Sequence, residues 1–325
     1  MRLHRRQFLS LAASATALPA ASRFAWAQAY PTRPVRIIVG FPAGGPGDIV
    51  ARLTGKWLSE RLGQSFFIDN KPGAGGDVAA EAAVHAAADG YTLLQFTPSN
   101  AISVSLHQKL SYDPLRDLVP VAGAVRAPLV MEVNPSLPVK SVTEFISYAK
   151  ANPGRVNLAS AGIGTTPHLA GELFKMMAGI ELIHVPYRGG APALIDLLGG
   201  QVQVLFDPIP ASIGYIRNGK LRALGVTTAG RSEVLPDVPP VAETLPGYEA
   251  SNWWGLCAPK GTPPAITDLL NHALNAALLD PGHQKQLADL GGSPLRGSAA
   301  DFGRLIAADS EKWAKVVKYA GIKPE

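Results

Sequence analysis

Two glycine-rich loops, far apart in the chain, each lie between an apolar run and an amphipathic one. The first is Phe41-Pro42-Ala43-Gly44-Gly45-Pro46-Gly47-Asp48 and the second is Ser160-Ala161-Gly162-Ile163-Gly164-Thr165-Thr166-Pro167-His168. Glycine lets backbone N–H groups crowd a ligand with no Cβ in the way. A helix start adds unpaired N–H donors and a partial positive charge. Each loop is therefore a candidate anion cradle. A tight strand-to-helix turn also needs glycine, so one loop alone would decide nothing. Two matched loops in separate parts of the chain point to one small anion gripped from both sides.

The N-terminus reads as an export leader and is set aside from the fold. Arg2, Arg5 and Arg6 form a basic region, Phe8 to Ala21 is weakly apolar, and Ala25-Trp26-Ala27 offers a small-residue cleavage site. Arg5-Arg6-Gln7-Phe8-Leu9 matches a twin-arginine address, with an ordinary secretory signal as the alternative. Residues 1–27 carry four arginines and no acid, so their removal takes the net charge from +5 to +1. The basic balance is mostly leader, and no nucleic-acid surface follows from it. Cys257 is the only cysteine, so no intrachain disulfide is possible and the core must hold the exported chain together. It sits in an apolar run and reads as buried filler.

After the leader, short apolar runs alternate with amphipathic ones, the pattern of an α/β fold. Val35 to Gly40, Ser65 to Ile68 and Tyr91 to Phe96 read as strands. Asp48 to Leu62 and Val78 to Ala88 read as helices. After a strand near Pro128 to Asn134 and a helix opened by the capping box Ser141-Val142-Thr143-Glu144, the pattern recurs. Val156 to Ser160 is a strand, the second glycine loop follows, and Pro167 to Met177 is a helix. Extended crossings near Pro128–Val133 and Ser251–Cys257 would make the second half an insertion in the first. Residues 28–128 with 252–325 then form one lobe and 129–251 the other, joined by a hinge that suits closure on a ligand.

At Pro34-Val35-Arg36-Ile37-Ile38-Val39-Gly40-Phe41-Pro42-Ala43-Gly44-Gly45 the chain resembles the Bug family, the periplasmic substrate-binding proteins of tripartite tricarboxylate transporters. Asp69-Asn70-Lys71-Pro72-Gly73-Ala74-Gly75-Gly76, Asp89-Gly90-Tyr91-Thr92-Leu93 and Val185-Pro186-Tyr187-Arg188-Gly189-Gly190 continue the likeness, as does Leu235-Pro236-Asp237-Val238-Pro239. The resemblance implies a type II periplasmic-binding-protein fold, two α/β lobes joined by two hinge crossings with a ligand cleft between them. It also implies capture of a carboxylate by backbone amides of both loops, partly through ordered waters. The family's first loop often carries a small residue where Pro46 stands, and Pro46 has no N–H to offer.

The residues set at the expected cleft are Phe41, Ala43, Gly44, Gly45 and Asp48 in the first loop. In the second they are Ser160, Gly162, Gly164, Thr165, Thr166 and His168. Tyr187, Arg188, Gly189 and Ala191 precede or open a further helix, and Ser99, Asn100 and Asp207 follow strands. Several have a plain structural reading as well. Asp48 suits a helix cap paired with Arg52, and His168 with Glu172 suits hydrogen-bonded packing. Ser99 and Asn100 suit a side-chain turn, and Asp207 a strand-end turn. Arg188 suits a surface cation or a bidentate partner for a second carboxylate. A bulky replacement of Gly164 is expected to weaken binding far more than folding.

Hydrogen bonds to a charged group contribute ~1.5–3 kcal/mol each, and ~1 μM affinity needs about 8 kcal/mol. A few amides from each loop could supply that, whereas one loop would fall short. The expected function is a monomeric periplasmic receptor for a mono- or dicarboxylate, presented to the membrane permease subunits of a tripartite transporter. The alternatives are a ligand sensor for a two-component sensor kinase, or a periplasmic enzyme acting on a small carboxylate. The enzyme reading lacks a G-x-S-x-G elbow, a base for the lone cysteine, a dinucleotide fingerprint and a Walker lysine. No catalytic residue, metal or cofactor is expected.

Overall fold

The computed structural model describes residues 30–106, 110–289 and 291–322. The leader expected over residues 1–27 lies outside them. By its contacts the chain divides into Met1–Thr32 and Arg33–Glu325, and the architecture below is that of the second unit.

In chain order the first elements are β1 (Val35–Val39), α1 (Pro46–Leu62), β2 (Phe66–Asn70), α2 (Asp77–Val84), β3 (Thr92–Phe96), α3 (Pro98–Leu106) and the one-turn α4 (Pro114–Asp117). The long β4 (Leu118–Val133) follows. Then come α5 (Val142–Ala151), β5 (Asn157–Ser160), α6 (Thr166–Ala178), β6 (Ile183–Pro186), α7 (Gly190–Leu198), β7 (Val204–Pro208), α8 (Ile209–Arg217) and β8 (Arg222–Val226). The chain ends with β9 (Ser251–Pro259), α9 (Pro264–Ala277), α10 (Pro281–Asp289), β10 (Ser293–Pro294) and α11 (Ala299–Ala320).

β1 is a near-continuous apolar run because helices cover both of its faces; Val35, Ile37, Ile38 and Val39 are fully buried. It pairs in parallel with β2 and β3, and β3 pairs antiparallel with β9, which pairs antiparallel with β4. Leu118 to Pro128 of β4 run along β9, but from Leu129 to Val133 the same strand lies between β7 and β8. β5 pairs in parallel with β6 and β7. The strand order is thus β2-β1-β3-β9-β4 in the first half of the sheet and β6-β5-β7-β4-β8 in the second. In each half the strand next to the edge, β1 or β5, feeds a glycine loop and then a helix. The recurrence expected from the sequence is a recurrence of topology.

The expected crossings correspond to β4, which changes partners at Pro128, and to β9, which begins at Ser251. Thr227 ties them together. Its N–H donates to the Leu129 carbonyl at 2.9 Å, and its carbonyl accepts from Ala250 N–H at 2.9 Å. Its buried hydroxyl accepts from Leu129 N–H at 2.9 Å and lies 2.6 Å from the Ala250 carbonyl, to which it can donate. Three helices have no counterpart in the sequence reading, α3, the one-turn α4 and α8. Each has proline in its first turn, at Pro98, Pro114 and Pro210, and proline in a first helical turn reads equally as a loop signal.

Each half has its own core. Phe96, Trp253 and Phe302 meet in the first, with Trp253 edge-on to Phe302 at 5.4 Å. Phe145, Phe174, Phe206 and Tyr248 meet in the second, with Phe174 and Phe206 at 5.5 Å. α11 belongs to both. Phe302 and Ile306 enter the first core, while Trp313 and Val317, three turns on, enter the second. The C-terminal helix therefore packs into both cores. Among the described residues no helix is long and apolar enough to cross a membrane.

Candidate functional site

The first glycine loop closes on itself. Gly44, with φ +80°, donates its N–H to Asp48 Oδ2 at 3.0 Å. The same carboxylate accepts from Arg52 Nε at 2.8 Å and from Asn70 Nδ2 at 3.1 Å, and Asn70 also donates to the Phe41 carbonyl at 2.9 Å. Burial pushes the Asp48 carboxyl up, but the hydrogen bonds from Arg52, Gly44 and Asn70 outweigh it and hold the group below its usual value. Gly45 donates to the Pro42 carbonyl. The open donors lie one step further on. Ile49 makes the first intrahelical bond of α1, back to Gly45, so the N–H groups of Gly47 and Asp48 have no helical acceptor.

The second loop is built the same way. Gly164, with φ +75°, donates its N–H to His168 Nδ1 at 3.1 Å, and Gly162 donates to Ser160 Oγ at 3.1 Å. Ser160 Oγ also lies 2.7 Å from His184 Nε2, and the His168 and His184 rings stack with centroids 3.8 Å apart. Accepting at Nδ1 leaves the proton of a neutral His168 on Nε2, which faces Glu172 Oε1 at 3.6 Å. Burial pushes His184 down to about 3. Leu169 makes the first intrahelical bond of α6, back to Thr165, which leaves the Thr166 and His168 N–H groups open.

α7 supplies a third helix start, after Gly189 at φ +125°. The three starts approach one another. A Cβ on Gly189 would lie 2.3 Å from Pro42 Cδ, and one on Gly45 would lie 4.0 Å from the Ala191 nitrogen. On another side, a Cβ on Gly75 would lie 3.1 Å from the Ile163 carbonyl. The two halves of the sheet thus touch around a space that they enclose together.

That space has two chambers. The inner one, about 30 Å³, is lined by the start of α1 (Pro46, Gly47), of α3 (Ser99, with Thr97 before it) and of α6 (Pro167, with Thr165 before it). Gly190, Asp207, Pro208, Asn252 and Trp254 complete it with Phe41 and Ala161. Such a volume suits one or two waters or a single polar group. The outer one, about 420 Å³, is lined by Gly73 to Gly76, Ala161 to Ile163, Tyr187, Arg188 and Leu106, together with Gly40, Phe41 and Pro186. It is large enough for a small metabolite. Phe41 and Ala161 belong to both walls, so the chambers adjoin.

Of the residues set at the cleft from sequence, Phe41, Ser99, Thr165 and Asp207 line the inner chamber, and Phe41, Gly162, Tyr187 and Arg188 the outer one. Ala43, Gly44, Gly45, Asn100, Ser160, Gly164, Thr166, Gly189 and Ala191 line neither. Asp48 and His168, expected at the ligand, are turned inward instead: each accepts the amide of the glycine four residues before it. Asn100 Oδ1 accepts from Thr97 N–H at 3.0 Å, the side-chain turn that was its plain reading. Tyr187 donates to Asp196 Oδ2 at 2.6 Å. Arg188 is exposed and has no ion pair among the described residues.

Gly47 belongs to the first loop already read as a cradle, and Trp254 reads from sequence as packing before a cleft wall; Thr97 and Asn252 in the inner wall, and Gly73 to Gly76 in the outer wall, are not in that reading. The β9 alternation carried a signal, because Asn252 and Trp254 must share the face opposite Trp253. The turn Lys71 to Asp77 was visible, but not that it abuts the second loop. Cys257 is buried, and burial pushes its thiol well above its usual value, which leaves it inert. Among the described residues no cluster of three His, Cys, Asp or Glu could hold a metal.

Residues 50–322 match the family described as Tripartite tricarboxylate transporter family receptor. The chain is 40% identical over 300 residues to the protein BugT of Bordetella pertussis (strain Tohama I), an alignment covering 91% of this chain and 92% of BugT. It is similar to the structure of R. palustris Rpa4515 with adipate, with a TM-score of 0.89 and 41% identity over 91% of this chain and 100% of that one. It is also similar to MatC (Rpa3494) from Rhodopseudomonas palustris with bound malate, with a TM-score of 0.84 and 35% identity over 89% of this chain and 100% of MatC. The mixed α/β fold is that of periplasmic binding proteins. These relatives are solute-binding proteins and not enzymes. The chain belongs to the family of tripartite tricarboxylate transporter receptors.

Proposed function

We propose that this chain is a periplasmic receptor that captures a small organic carboxylate between its two sheet halves and delivers it to the permease of a tripartite transporter. The halves act as lobes, residues 28–128 with 252–325 and residues 129–251, which close about β4 and β9. One observation carries the reading: the first turns of α1, α6 and α7, drawn from both halves, meet at one enclosed space. Their open amides and aligned dipoles favour a negative charge there. The carboxylate sits at the junction of the chambers, with water or a hydroxyl group filling the inner one. The rest of the ligand occupies the outer chamber toward Tyr187 and Arg188. The ligands named for Rpa4515 and MatC, adipate and malate, support a mono- or dicarboxylate of that size.

Trp254 lines the inner chamber and gives the test. Titration with adipate, malate and matching monocarboxylates should shift tryptophan fluorescence saturably, with the acid recovered unchanged. Trp254→Phe should lose most of the shift while calorimetry still reports binding. Turnover of the acid, or silence across the whole panel in both measurements, would reject the receptor reading.

A further inference from the structure

Glu132 of β4 and Asp207 of β7 are two buried carboxyl groups joined by one hydroxyl. Ser212 Oγ, on α8, lies 2.7 Å from Glu132 Oε1 and 3.2 Å from Asp207 Oδ2. All three residues are at most 1% exposed. A serine hydroxyl has one proton and can donate to only one of the two. The other contact needs a proton on a carboxyl oxygen. The remaining oxygens, Glu132 Oε2 and Asp207 Oδ1, are buried and have no hydrogen-bond partner among the described residues.

Among the described residues no cation neutralises the pair. On β8, Arg222 is next to Ala223, the register partner of Glu132, but its guanidinium donates to the Leu137 and Val139 carbonyls. On α7, Asp196 accepts from Tyr187, and on α1, Asp48 is held by Arg52 and Lys56 stands by Glu60. On α10, Lys285 pairs with Asp289. Arg217, in the last turn of α8, and Arg61, in the last turn of α1, do not act on either carboxyl. His168 and His184 face Glu172 and Ser160. Asp207 is the one charged group acting on Glu132. Burial, then the Asp207 charge, pushes Glu132 well above its usual value, and burial raises Asp207 as well.

Asp207 also faces the inner chamber. Its free Oδ1 lies 3.4 Å from where a Cβ on Gly190 would be, beside the first turn of α7. We propose that Glu132 and Asp207 hold one proton between them through Ser212, and that capture of an anion in the adjoining chamber is linked to keeping that proton. Glu132 carries the proton and donates to Ser212 Oγ. Ser212 donates to Asp207 Oδ2. Asp207 Oδ1 then accepts from a water or a ligand hydroxyl in the chamber. Glu132 is a positioning residue that never meets the ligand. Losing the proton would put a second negative charge beside the captured anion, so the anion and the proton favour each other by linkage. The linkage rests on the receptor reading; the shared proton does not.

Two measurements test it. Infrared titration of the ligand-free wild-type protein, with carboxyl carbons isotope-edited, should show a buried protonated carboxyl near pH 6 that Glu132→Gln removes. Ionised carboxyl groups at both sites at that pH would overturn the shared proton without any ligand or variant. Calorimetry with adipate between about pH 6 and about pH 9, a range in which both of its carboxyls stay ionised, reads the linkage. Wild-type affinity should fall up to about tenfold per pH unit once the proton leaves. Glu132→Gln, a neutral isostere, should keep the low-pH affinity within about threefold, as a hydrogen bond kept in place implies, and lose the slope. Adipate binding that is flat with pH in the wild type, or equally sloped in the variant, would overturn the linkage. A protein that shows the proton but binds no carboxylate would count against the receptor reading and leave the shared proton standing.

Discussion

Gly164 donates its backbone N–H to His168 Nδ1 across 3.1 Å, and in the other half of the molecule Gly44 does the same to Asp48 Oδ2 across 3.0 Å. The spacing is four residues in both cases, from the loop into the first helical turn. Topologically equivalent loops therefore use one device with different side chains. The glycine amides, which look like the donors of an anion site, are consumed in shaping the loop. What they shape is the entry to the helix, where amides without helical acceptors remain.

Asp48 is the first place to test this. Its carboxylate accepts from Gly44, Arg52 and Asn70 at once. Asp48→Ala takes a charged acceptor from the exposed Gly44 amide and the half-buried Asn70 amide group, which water can partly replace, a cost of about 1 kcal/mol. The expected result is a lower unfolding midpoint in urea together with weaker carboxylate affinity, because the loop that aims α1 loses its tie. An Asp48→Ala protein with wild-type stability and weakened binding would instead make Asp48 a direct ligand contact.

Gly47, unlike Gly164, separates binding from folding. Gly47 lies in α1 with an ordinary helical backbone, and a Cβ there would stand 3.2 Å from Gln95 Oε1 and 3.3 Å from Trp254 Nε1, at the wall of the inner chamber. Alanine gains about 1 kcal/mol of helix propensity over glycine, which offsets the tight contacts. Gly47→Ala should fold with a near-normal melting temperature and bind at least about tenfold more weakly, a loss of about 1.4 kcal/mol. Gly164→Val is a poorer probe than the sequence suggests. Its φ is +75° and its Cβ would meet Leu106 Cδ1 at 2.1 Å, so folding should suffer as well as binding. Unchanged affinity in a folded Gly47→Ala protein would remove the start of α1 from the site.

How far the sequence carries is visible in the same residues. The strand, loop and helix order around Gly44 and Gly164 is legible because a short apolar run gives way to near-helical apolar spacing across each loop, with Pro46 and Pro167 marking the helix starts. The family likeness adds the fold. What stays hidden is which donors are already taken. Asp48 and His168 read as candidates for the ligand because a sequence does not say that a side chain one turn into a helix folds back onto its own loop. Glu132 gave no signal at all: one acid in an apolar strand acquires meaning only when β7 and α8 bring Asp207 and Ser212 to it. The Trp254 and Asn252 contribution needed β9 to be recognised as half-facing the cleft.

Arg188 decides between one and two carboxylates. It is exposed, lines the outer chamber and has no ion pair among the described residues. An exposed charge pair contributes roughly 0.2–1 kcal/mol and is screened by salt. Arg188→Gln should therefore cost less than about tenfold in affinity for adipate, and nothing for hexanoate, with the wild-type advantage for adipate shrinking at high salt. Equal losses for the two acids in calorimetry would make Arg188 a general steering charge with no role in reading the second carboxylate.

The stacked histidines supply a pH dependence whose sign depends on what else titrates. His184 is pushed down to about 3 by burial, against 6.5 for the free side chain. Between those limits the unfolded chain binds a proton that the folded one refuses, so this group removes stability as pH falls, at up to about 1.4 kcal/mol per pH unit. Glu172 acts in the same direction but lower. Burial raises it, bonds from His168 and Lys175 pull it down to about 2, and its contribution is lost only below its ordinary value of 4.5. Asp207 and Glu132 oppose both. Their folded values are raised, so their contribution is present at low pH and is lost as pH rises through those raised values. Between pH 4.5 and 6.5 the two effects compete, and the wild-type melting profile alone cannot separate them. The difference between wild type and His184→Asn can. The variant loses the ring stack and should melt lower at neutral pH, but its deficit should shrink steadily as pH falls from 6.5 toward 4.5. A deficit that stays constant over that range would mean that His184 is not held neutral beneath the second glycine loop.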